Sequence, residues 1–322
     1  MKKIYQSKTF KKHNSRRSKR AMKKLSRRKK NHKNTNPKQP KRLRKELTAP
    51  EILSVVDNDF ETISFLTSIS KCIDNNNHVY VNLHNVKQLT PESILYILLL
   101  LTKAQEHKVS FSGNAPSGKY AFEVFIKSGF YNYVKSNLDT SKIALSENIL
   151  QIQKGKITDG QSAAKLKKFV ADHFKSYTPQ QLRALYTILV ECMSNTNKHA
   201  DNIQGKKTWW TMAVYNENEN KMSFAFVDNG QGIPHTVRRN FKDFADSDAD
   251  LIEKACNGGY NKSQTGQKHR NKGLPQIKSF CDLGIINNLI CVSNTGYYSV
   301  SNKRKIKLRK QFQGTIIYWE FI

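Results

Sequence analysis

The pattern of apolar and polar positions predicts alternating strands and helices in the first half of the chain. "HVYVNLH", from His78 to His84, alternates as a half-buried strand does, and "KVSFSG", from Lys108 to Gly113, reads as a second strand. The helical patterns "PESILYILLLLTKAQEH" and "GKYAFEVFIKSGFYNYV" each follow one of these strands. The order strand, helix, strand, helix favours a parallel sheet with helical cover.

A long helix is predicted to begin within "YTPQQLRALYTILV" in the second half. Thr178 is a candidate N-cap, Pro179 suits the first helical position, and Gln181 completes a capping box. The apolar positions that follow form a stripe that suits a core. The start of this helix is therefore clearly marked.

The same helix changes from apolar to polar along one face, in "LVECMSNTNKHA". Glu191, Asn195 and His199 are four residues apart, so their side chains point in nearly the same direction on successive turns. Burial of such groups without hydrogen-bonding partners is costly. The face therefore indicates a site or a polar cavity, with a solvated rim at the helix end as the alternative.

Three further stretches carry chemistry. "FAFVDNGQGIP" predicts an apolar strand that delivers Asp228 into a glycine-rich turn, where a carboxylate can accept a hydrogen bond and the backbone can approach a ligand. "GGYNKSQTGQKHRNKGLPQIKSF" is a glycine-rich, basic stretch before a helix predicted from Leu274, which suits phosphate binding. "QFQGTIIYWEFI" predicts a last strand that begins with Gly314 and Thr315.

Charge is distributed unevenly along the 322 residues, whose formal net charge is +30. Residues 1–45 hold 21 of the 55 Lys and Arg and no Asp or Glu. Such a segment buries little apolar surface, so we expect it to be disordered when alone. Its charge favours contact with the phosphate backbone of nucleic acid through residues 1–45. A solvated tail, a nuclear-targeting signal or an anionic membrane surface are the alternatives.

The remaining composition predicts a cytoplasmic protein, or a nuclear one if the source is a eukaryote. The five cysteines lack both CxxC pairing and zinc-like spacing, which favours free thiols. The longest apolar run, "ILYILLLL" from Ile94 to Leu101, is too short to span a bilayer, so no membrane-spanning segment is expected and a membrane is not the expected partner. The length suits two domains behind a basic arm.

The first predicted α/β segment resembles the STAS domain of anti-sigma-factor antagonists over about residues 50–137. That family has an Asp and a phosphorylatable Ser at the start of its first such helix, where this chain has Thr90 and Pro91, with Ser93 nearby. The resemblance therefore implies a STAS-like domain that docks a protein partner and lacks the phosphorylation switch.

The four elements of the second half resemble, in order and spacing, the GHKL superfamily of ATP-binding domains over about residues 140–322. This resemblance implies a Bergerat α/β two-layer sandwich that binds ATP and Mg²⁺. Asn195 would be the Mg²⁺ ligand, Glu191 the catalytic base, and His199 a neighbour of the triphosphate. The other ATP-binding positions that it implies are Asp228 at the adenine, Gly230, Gly232, Ile233, Lys272, Gly273, Leu274 and Thr315.

The match departs from the family at Asn271 and Pro275, where further glycines are usual. The segment from Pro234 to Arg270 corresponds to the ATP lid. Its basic residues, which can reach phosphate oxygens, are Lys262, Lys268, His269 and Arg270.

The closest resemblance is to anti-sigma-factor serine kinases. We expect a basic arm at 1–46, a STAS-like domain at 47–137 and a GHKL domain at 138–322. The expected function is a slow, Mg²⁺-dependent ATPase whose lid closure switches a partner complex, and a dimer is possible. A nucleotide-stabilised scaffold and a protein serine kinase are the alternatives. A histidine kinase is disfavoured, because residues 138–176 offer no convincing long helix pair.

Overall fold

The computed structural model describes residues 8–32, 42–136, 139, 142–173, 177–199, 207–260 and 273–322. The chain divides into two compact units, Met1–Leu43 and Arg44–Ile322. The larger unit is a mixed α/β structure with parallel and antiparallel sheets, which agrees with the expected α/β class.

The described part of the small unit is one helix, α1 (Lys8–His32), and residues 12–24 are exposed along it. The sequence led us to expect an arm that is disordered when alone, and the structure gives Lys8–His32 as a helix. Lys8–His32 contains neither Gly nor Pro and is rich in Lys and Arg, which tolerate helical backbone well. The residue types in this segment are therefore compatible with a helix.

The first part of the large unit, residues 44–136, is called the first α/β region. Its strands are β1 (Arg44–Thr48), β2 (Ile52–Leu53), β3 (His78–Asn82), β4 (Gln88–Leu89) and β5 (Phe111–Gly113). Its helices are α2 (Asp59–Asp74), α3 (Pro91–Glu106) and α4 (Lys119–Lys127), followed by a 3₁₀ turn (Phe130–Tyr133).

The parallel sheet predicted for this region is confirmed. The strand order is β1-β3-β5 with parallel pairing throughout, and β2 and β4 form a separate parallel pair. β1 begins at Arg44, slightly before the position expected for the start of order. The earlier start follows from pairing, because Arg44 lies opposite His78 and Thr48 opposite Asn82.

The second part, residues 149–322, is called the second α/β region. Its strands are β6 (Ile149–Gly155), β7 (Trp209–Asn216), β8 (Lys221–Asp228), β9 (Asn287–Ser299) and β10 (Arg304–Phe321). Its helices are α5 (Gly160–His173), α6 (Pro179–His199), α7 (Ile233–Phe241), α8 (Asp248–Cys256) and α9 (Gly273–Asp282). The strands form one antiparallel sheet in the order β6-β7-β8-β10-β9.

Both faces of this five-stranded sheet are buried. On β8, Phe224 and Phe226 face a core built with α5, α6, α8 and α9, whereas Ala225 and Val227 face the opposite side. Helix α3 packs on that opposite side, in contact with β7, β8 and β10. A strand buried on both faces requires a nearly continuous apolar sequence, which explains "FAFV".

Helix α3 packs against both the parallel sheet and the five-stranded sheet. Each residue from Ile94 to Leu101 is at most 7% exposed, which confirms that this run is core. Apolar residues do not alternate with polar ones at helical spacing in this run, because α3 is covered on all sides by the first α/β region and by the five-stranded sheet. The expected domain boundary at residue 137 lies outside the described residues.

Within the described part of the chain, no helix is both long enough and apolar enough to cross a membrane.

We predict that Leu98→Ala, in α3, lowers the free energy of unfolding by about 2–4 kcal/mol, because the Leu98 side chain fills the shared core. The five-stranded sheet should be destabilised together with the parallel sheet. Tryptophan fluorescence during urea unfolding tests this, since Trp209, Trp210 and Trp319 all lie in the second sheet. An unshifted tryptophan transition beside an earlier circular-dichroism phase would contradict a shared core. The control is Leu145→Ala, at a leucine that is 76% exposed.

Candidate functional site

Helix α6 begins as its sequence predicted. The backbone N–H of Gln181 donates to Thr178 Oγ1 at 3.2 Å, and the Thr178 N–H donates to Gln181 Oε1 at 2.8 Å. This capping box is confirmed in full. Leu185 and Leu189 then anchor α6 in the core beneath the sheet. The helix is thereby held so that its polar face emerges at one end.

Glu191 and Asn195 meet the start of α9. Both side chains are half-buried. A Cβ atom placed on Gly273 would lie 3.0 Å from Asn195 Nδ2 and 3.1 Å from Glu191 Oε2. A larger residue at 273 would therefore press on both side chains, and glycine allows the approach. Two stretches separated by 77 residues or more along the chain thus converge at a helix N-terminus, where backbone N–H groups carry partial positive charge.

Asp228 lies at the end of β8 and is 8% exposed. Its Oδ1 accepts a hydrogen bond from the Gly230 N–H at 2.7 Å, and its Oδ2 lies 3.4 Å from the hydroxyl of Thr196 on α6. The Thr196 hydroxyl is also 3.1 Å from the Cys192 carbonyl oxygen. Burial raises the pKa of Asp228 from 3.8 to about 6, and these hydrogen bonds offset the shift only in part.

The turn after Asp228 is held by β9. Gly232 has a φ of +91°, and a Cβ on it would lie 2.2 Å from Asn294 Oδ1 and 2.5 Å from Ser293 Oγ. Ile233, the first residue of α7, donates its N–H to Ser293 Oγ at 3.0 Å. The glycine is therefore required both by its backbone angle and by the close approach of β9.

Gly314 and Thr315 lie beside Asp228 on the neighbouring strand. Thr315 is opposite Asp228 in the β8–β10 register and is 5% exposed. Gly314 has a φ of +75°, and a Cβ on it would lie 1.9 Å from the Asp228 carbonyl oxygen. Ser293 Oγ donates to the Gly314 carbonyl at 3.0 Å. One serine on β9 thus connects both glycine turns.

The predicted lid contains α7 and α8 in its described part, residues 234–260. Arg238 pairs with Asp248 at 2.5 Å, and Asp248 also accepts hydrogen bonds from the N–H and hydroxyl of Thr295 on β9. These bonds fasten α8 to the sheet. The remaining lid and phosphate positions lie outside the described residues: Lys262, Lys268, His269, Arg270, Asn271, Lys272 and the side chain of His199.

Sequence reasoning missed Thr196, Ser293 and Asn294. Thr196 was hidden because it follows Asn195 directly, on a different face from the four-residue series. Ser293 and Asn294 lie in β9, in a stretch without a charged residue to draw notice. Their polar character within an apolar strand was the one available signal.

The donor set suits a cation that binds few protein ligands. No group of three or more His, Cys, Asp or Glu that could hold a metal occurs within the described ranges. Mg²⁺ is commonly held by one or two protein oxygens together with substrate phosphates and water. The oxygens of Asn195 and Glu191, side by side at the start of α9, fit that requirement.

The chain matched no model of a known protein family, and the comparison with curated proteins gave no match either.

We predict that Asp228→Asn stabilises the protein at pH 7.5. The native Asp228 pKa lies above the unfolded value, so wild type gains stability as the pH falls through about 6 towards 4 and carries the cost of a buried charge above 6. Asparagine removes that cost, which amounts to roughly 3 kcal/mol, and can still bond Gly230 and Thr196.

Urea unfolding at pH 4.5, 6 and 7.5 provides the measurement. The difference between Asp228→Asn and wild type should shrink steadily towards low pH. The control is Asp172→Asn, an exposed aspartate paired with Lys168. Parallel pH profiles for Asp228→Asn and wild type would refute the assignment of a buried charge to Asp228.

Proposed function

We propose that the second α/β region is a GHKL-type domain that binds ATP with Mg²⁺ and hydrolyses it slowly. The first α/β region would be a STAS-like partner of that domain within the same chain. The observation that carries the proposal is the convergence of four separated stretches: Glu191 and Asn195, Asp228 with its turn, Gly273, and Gly314 with Thr315.

The adenine end of the proposed site is Asp228 with Thr315. A carboxylate can accept the exocyclic amino group of adenine, and a hydroxyl beside it can serve a ring nitrogen directly or through water. Asp228 is buried, so that hydrogen bond would form in a low-dielectric environment, where it is strong. Guanine presents a carbonyl oxygen at the same place and would be disfavoured beside an ionised carboxylate.

The phosphate end is the N-terminus of α9 with Asn195 and Glu191. Backbone N–H groups at a helix start suit phosphate oxygens, and the Asn195 amide oxygen suits Mg²⁺. When bound, Mg²⁺ would neutralise the charge that develops on the phosphates. Glu191 would take the proton of the attacking water, which is the role that distinguishes an ATPase from a nucleotide-stabilised scaffold.

The contacts of the lid support a proposed change of its position when a nucleotide binds. Its described part contains α7 and α8, and both helices are bonded to β9. Helix α7 is bonded to Ser293, and Asp248 of α8 is bonded to Thr295. Ser293 also bonds Gly314. A nucleotide that fills the site would act on the lid and on β9 together. We propose that this movement alters the complex with a protein partner docked on the first α/β region.

Nucleic-acid contact is proposed for the basic arm. The described part of α1 presents seven exposed cations in residues 12–24: Lys12, Arg16, Arg17, Lys19, Arg20, Lys23 and Lys24. Cations at this density on a helix favour a polyanion through release of counterions. The contact would be independent of base sequence.

We predict that Asn195→Ala raises the dissociation constant for ATP at saturating Mg²⁺ at least tenfold, because it removes the metal ligand. Glu191→Gln should retain ATP affinity and lose phosphate release by about 10²-fold or more, because it removes the base and keeps the shape beside Gly273. Isothermal titration and a phosphate-release assay measure the two effects.

The matched control for both is Asn197→Ala, an exposed asparagine two residues farther along α6. Suppose that wild type and Glu191→Gln release phosphate at the same rate while Asn195→Ala loses affinity for ATP. That result would contradict the ATPase and support the nucleotide-stabilised scaffold. Transfer of label from γ-labelled ATP to a second protein would identify a protein serine kinase instead.

We predict that removal of residues 1–43 weakens binding to duplex DNA or RNA and flattens its salt dependence, because the phosphate contacts are lost. The cut leaves β1 intact. Fluorescence anisotropy between 50 and about 300 mM salt measures both quantities. Replacement of the seven exposed cations by Gln should reproduce part of the loss while keeping the arm, because the salt slope scales with the number of cations that contact phosphates. Unchanged affinity in both variants would make the arm a passive tail.

A further inference from the structure

The backbone of β10 is irregular where it enters the candidate site. Its pairing with β9 shifts register between Phe312 and Thr315, and its pairing with β8 begins only at Thr315. Gln313 therefore sits between the two ladders. Its N–H and C=O groups need partners from elsewhere, because unpaired buried backbone groups are costly.

Tyr96 supplies both partners. The Gln313 N–H donates to the Tyr96 hydroxyl oxygen at 3.0 Å, and that hydroxyl donates to the Gln313 carbonyl at 3.2 Å. Burial raises the pKa of Tyr96 far above its usual value, so the hydroxyl keeps the proton that it donates. One side chain thus replaces the two ladder bonds that the irregular strand lacks.

The ring of Tyr96 has little freedom to move. It is fully buried, and it stacks on Phe312 with ring centroids 3.9 Å apart and planes inclined by 24°. It also lies in the middle of α3, the helix that fills the core between the two sheets. The hydroxyl is therefore held in place by packing on all sides.

Gly314, the residue after Gln313, lies against the main chain of Asp228. Gly314 has the close approach to the Asp228 carbonyl described above, and its own carbonyl is bonded by Ser293, which also bonds Ile233. A shift of Gln313 would therefore be passed to Thr315, to the main chain at Asp228 and to the start of the lid.

We propose that Tyr96 is a positioning residue of the nucleotide site: through the backbone of Gln313 it sets the place of Gly314 and Thr315 beside Asp228, and so sets the affinity for the adenine base. This inference rests on the proposed ATP binding. Tyr96 lies in the first α/β region, outside the four stretches proposed to bind the nucleotide, so that region would also contribute to the site.

The consequence is a specific pattern of affinities. Tyr96→Phe keeps the stacked ring and removes the hydroxyl, so Gln313 loses two hydrogen bonds and the adenine end loosens. Dissociation constants for ATP and ADP should both rise by the same factor, on the order of tenfold. Discrimination between ATP and GTP should fall. Asn195→Ala removes the proposed metal ligand. It should therefore weaken the binding of ATP in the presence of Mg²⁺ more than the binding of ADP in its absence.

A second buried tyrosine provides the matched control. Tyr318 lies on β10 and faces the side of the sheet on which α3 packs. Its hydroxyl bonds Ser223 and Glu320, away from the turns. Tyr318→Phe removes a buried hydroxyl as well, so it should cost stability and leave the dissociation constants and the ATP preference unchanged. Equal nucleotide effects in the two variants would reduce Tyr96 to a structural residue.

The experiment is titration of the full-length wild type, Tyr96→Phe and Tyr318→Phe with ATP, ADP and GTP, with amide hydrogen exchange at Gln313. Faster exchange at Gln313 in Tyr96→Phe alone, with weaker ATP and ADP binding, is the expected result. Wild type that fails to bind ATP would overturn the proposed function and this inference with it. Wild type that binds ATP, beside Tyr96→Phe with unchanged affinities, would overturn this inference alone.

Phe312→Leu serves as a second variant if Tyr96→Phe does not fold. It keeps the tyrosine hydroxyl and removes the stacked ring beneath it, so it should weaken ATP and ADP equally, by a smaller factor than Tyr96→Phe. ATP and ADP affinities equal to those of wild type in a folded Phe312→Leu protein would overturn the role of Tyr96 as well.

Discussion

The burial of both faces of the five-stranded sheet is the constraint on which the rest of the large unit depends. One face lies against α5, α6, α8 and α9, and the other against α3. A strand in this position has no solvated face on which to place polar residues, so each polar side chain on it needs a hydrogen-bonding partner within the protein. Asp228 ends β8 and Gly314 interrupts β10, and the candidate site forms where these interruptions meet.

The same constraint explains how much of the fold was predictable. Strand β3 and helix α6 carry complete local signals, an alternating pattern and a capping box, and both were located from sequence. The packing of α3 against the second sheet was not predictable. The run from Ile94 to Leu101 is apolar on every side, and such a run indicates burial without indicating what covers it.

Prediction of the candidate site shows a similar division. Glycines and charged residues at fixed offsets mark Asp228, Gly273 and Gly314, so their order along the chain could be read directly. The contacts that hold them together come from ordinary residues. Ser293 and Tyr96 act through single hydroxyls, and nothing in their sequence neighbourhood separates them from core residues. Long-range hydrogen bonds of this kind are set by the folded geometry alone.

Asp228 is a residue whose presence the fold itself does not explain. Its carboxyl is buried, its pKa is raised to about 6, and the interactions that act on it are hydrogen bonds from Gly230 and Thr196 rather than an ion pair. Near neutral pH it therefore opposes folding, whereas asparagine would satisfy the same neighbours at lower cost. A carboxylate oxygen has two lone pairs, so Asp228 retains the capacity to accept a further hydrogen bond. A ligand that donates that bond would turn an unfavourable buried charge into a favourable contact, and this favours a binding role for Asp228 over a purely structural one.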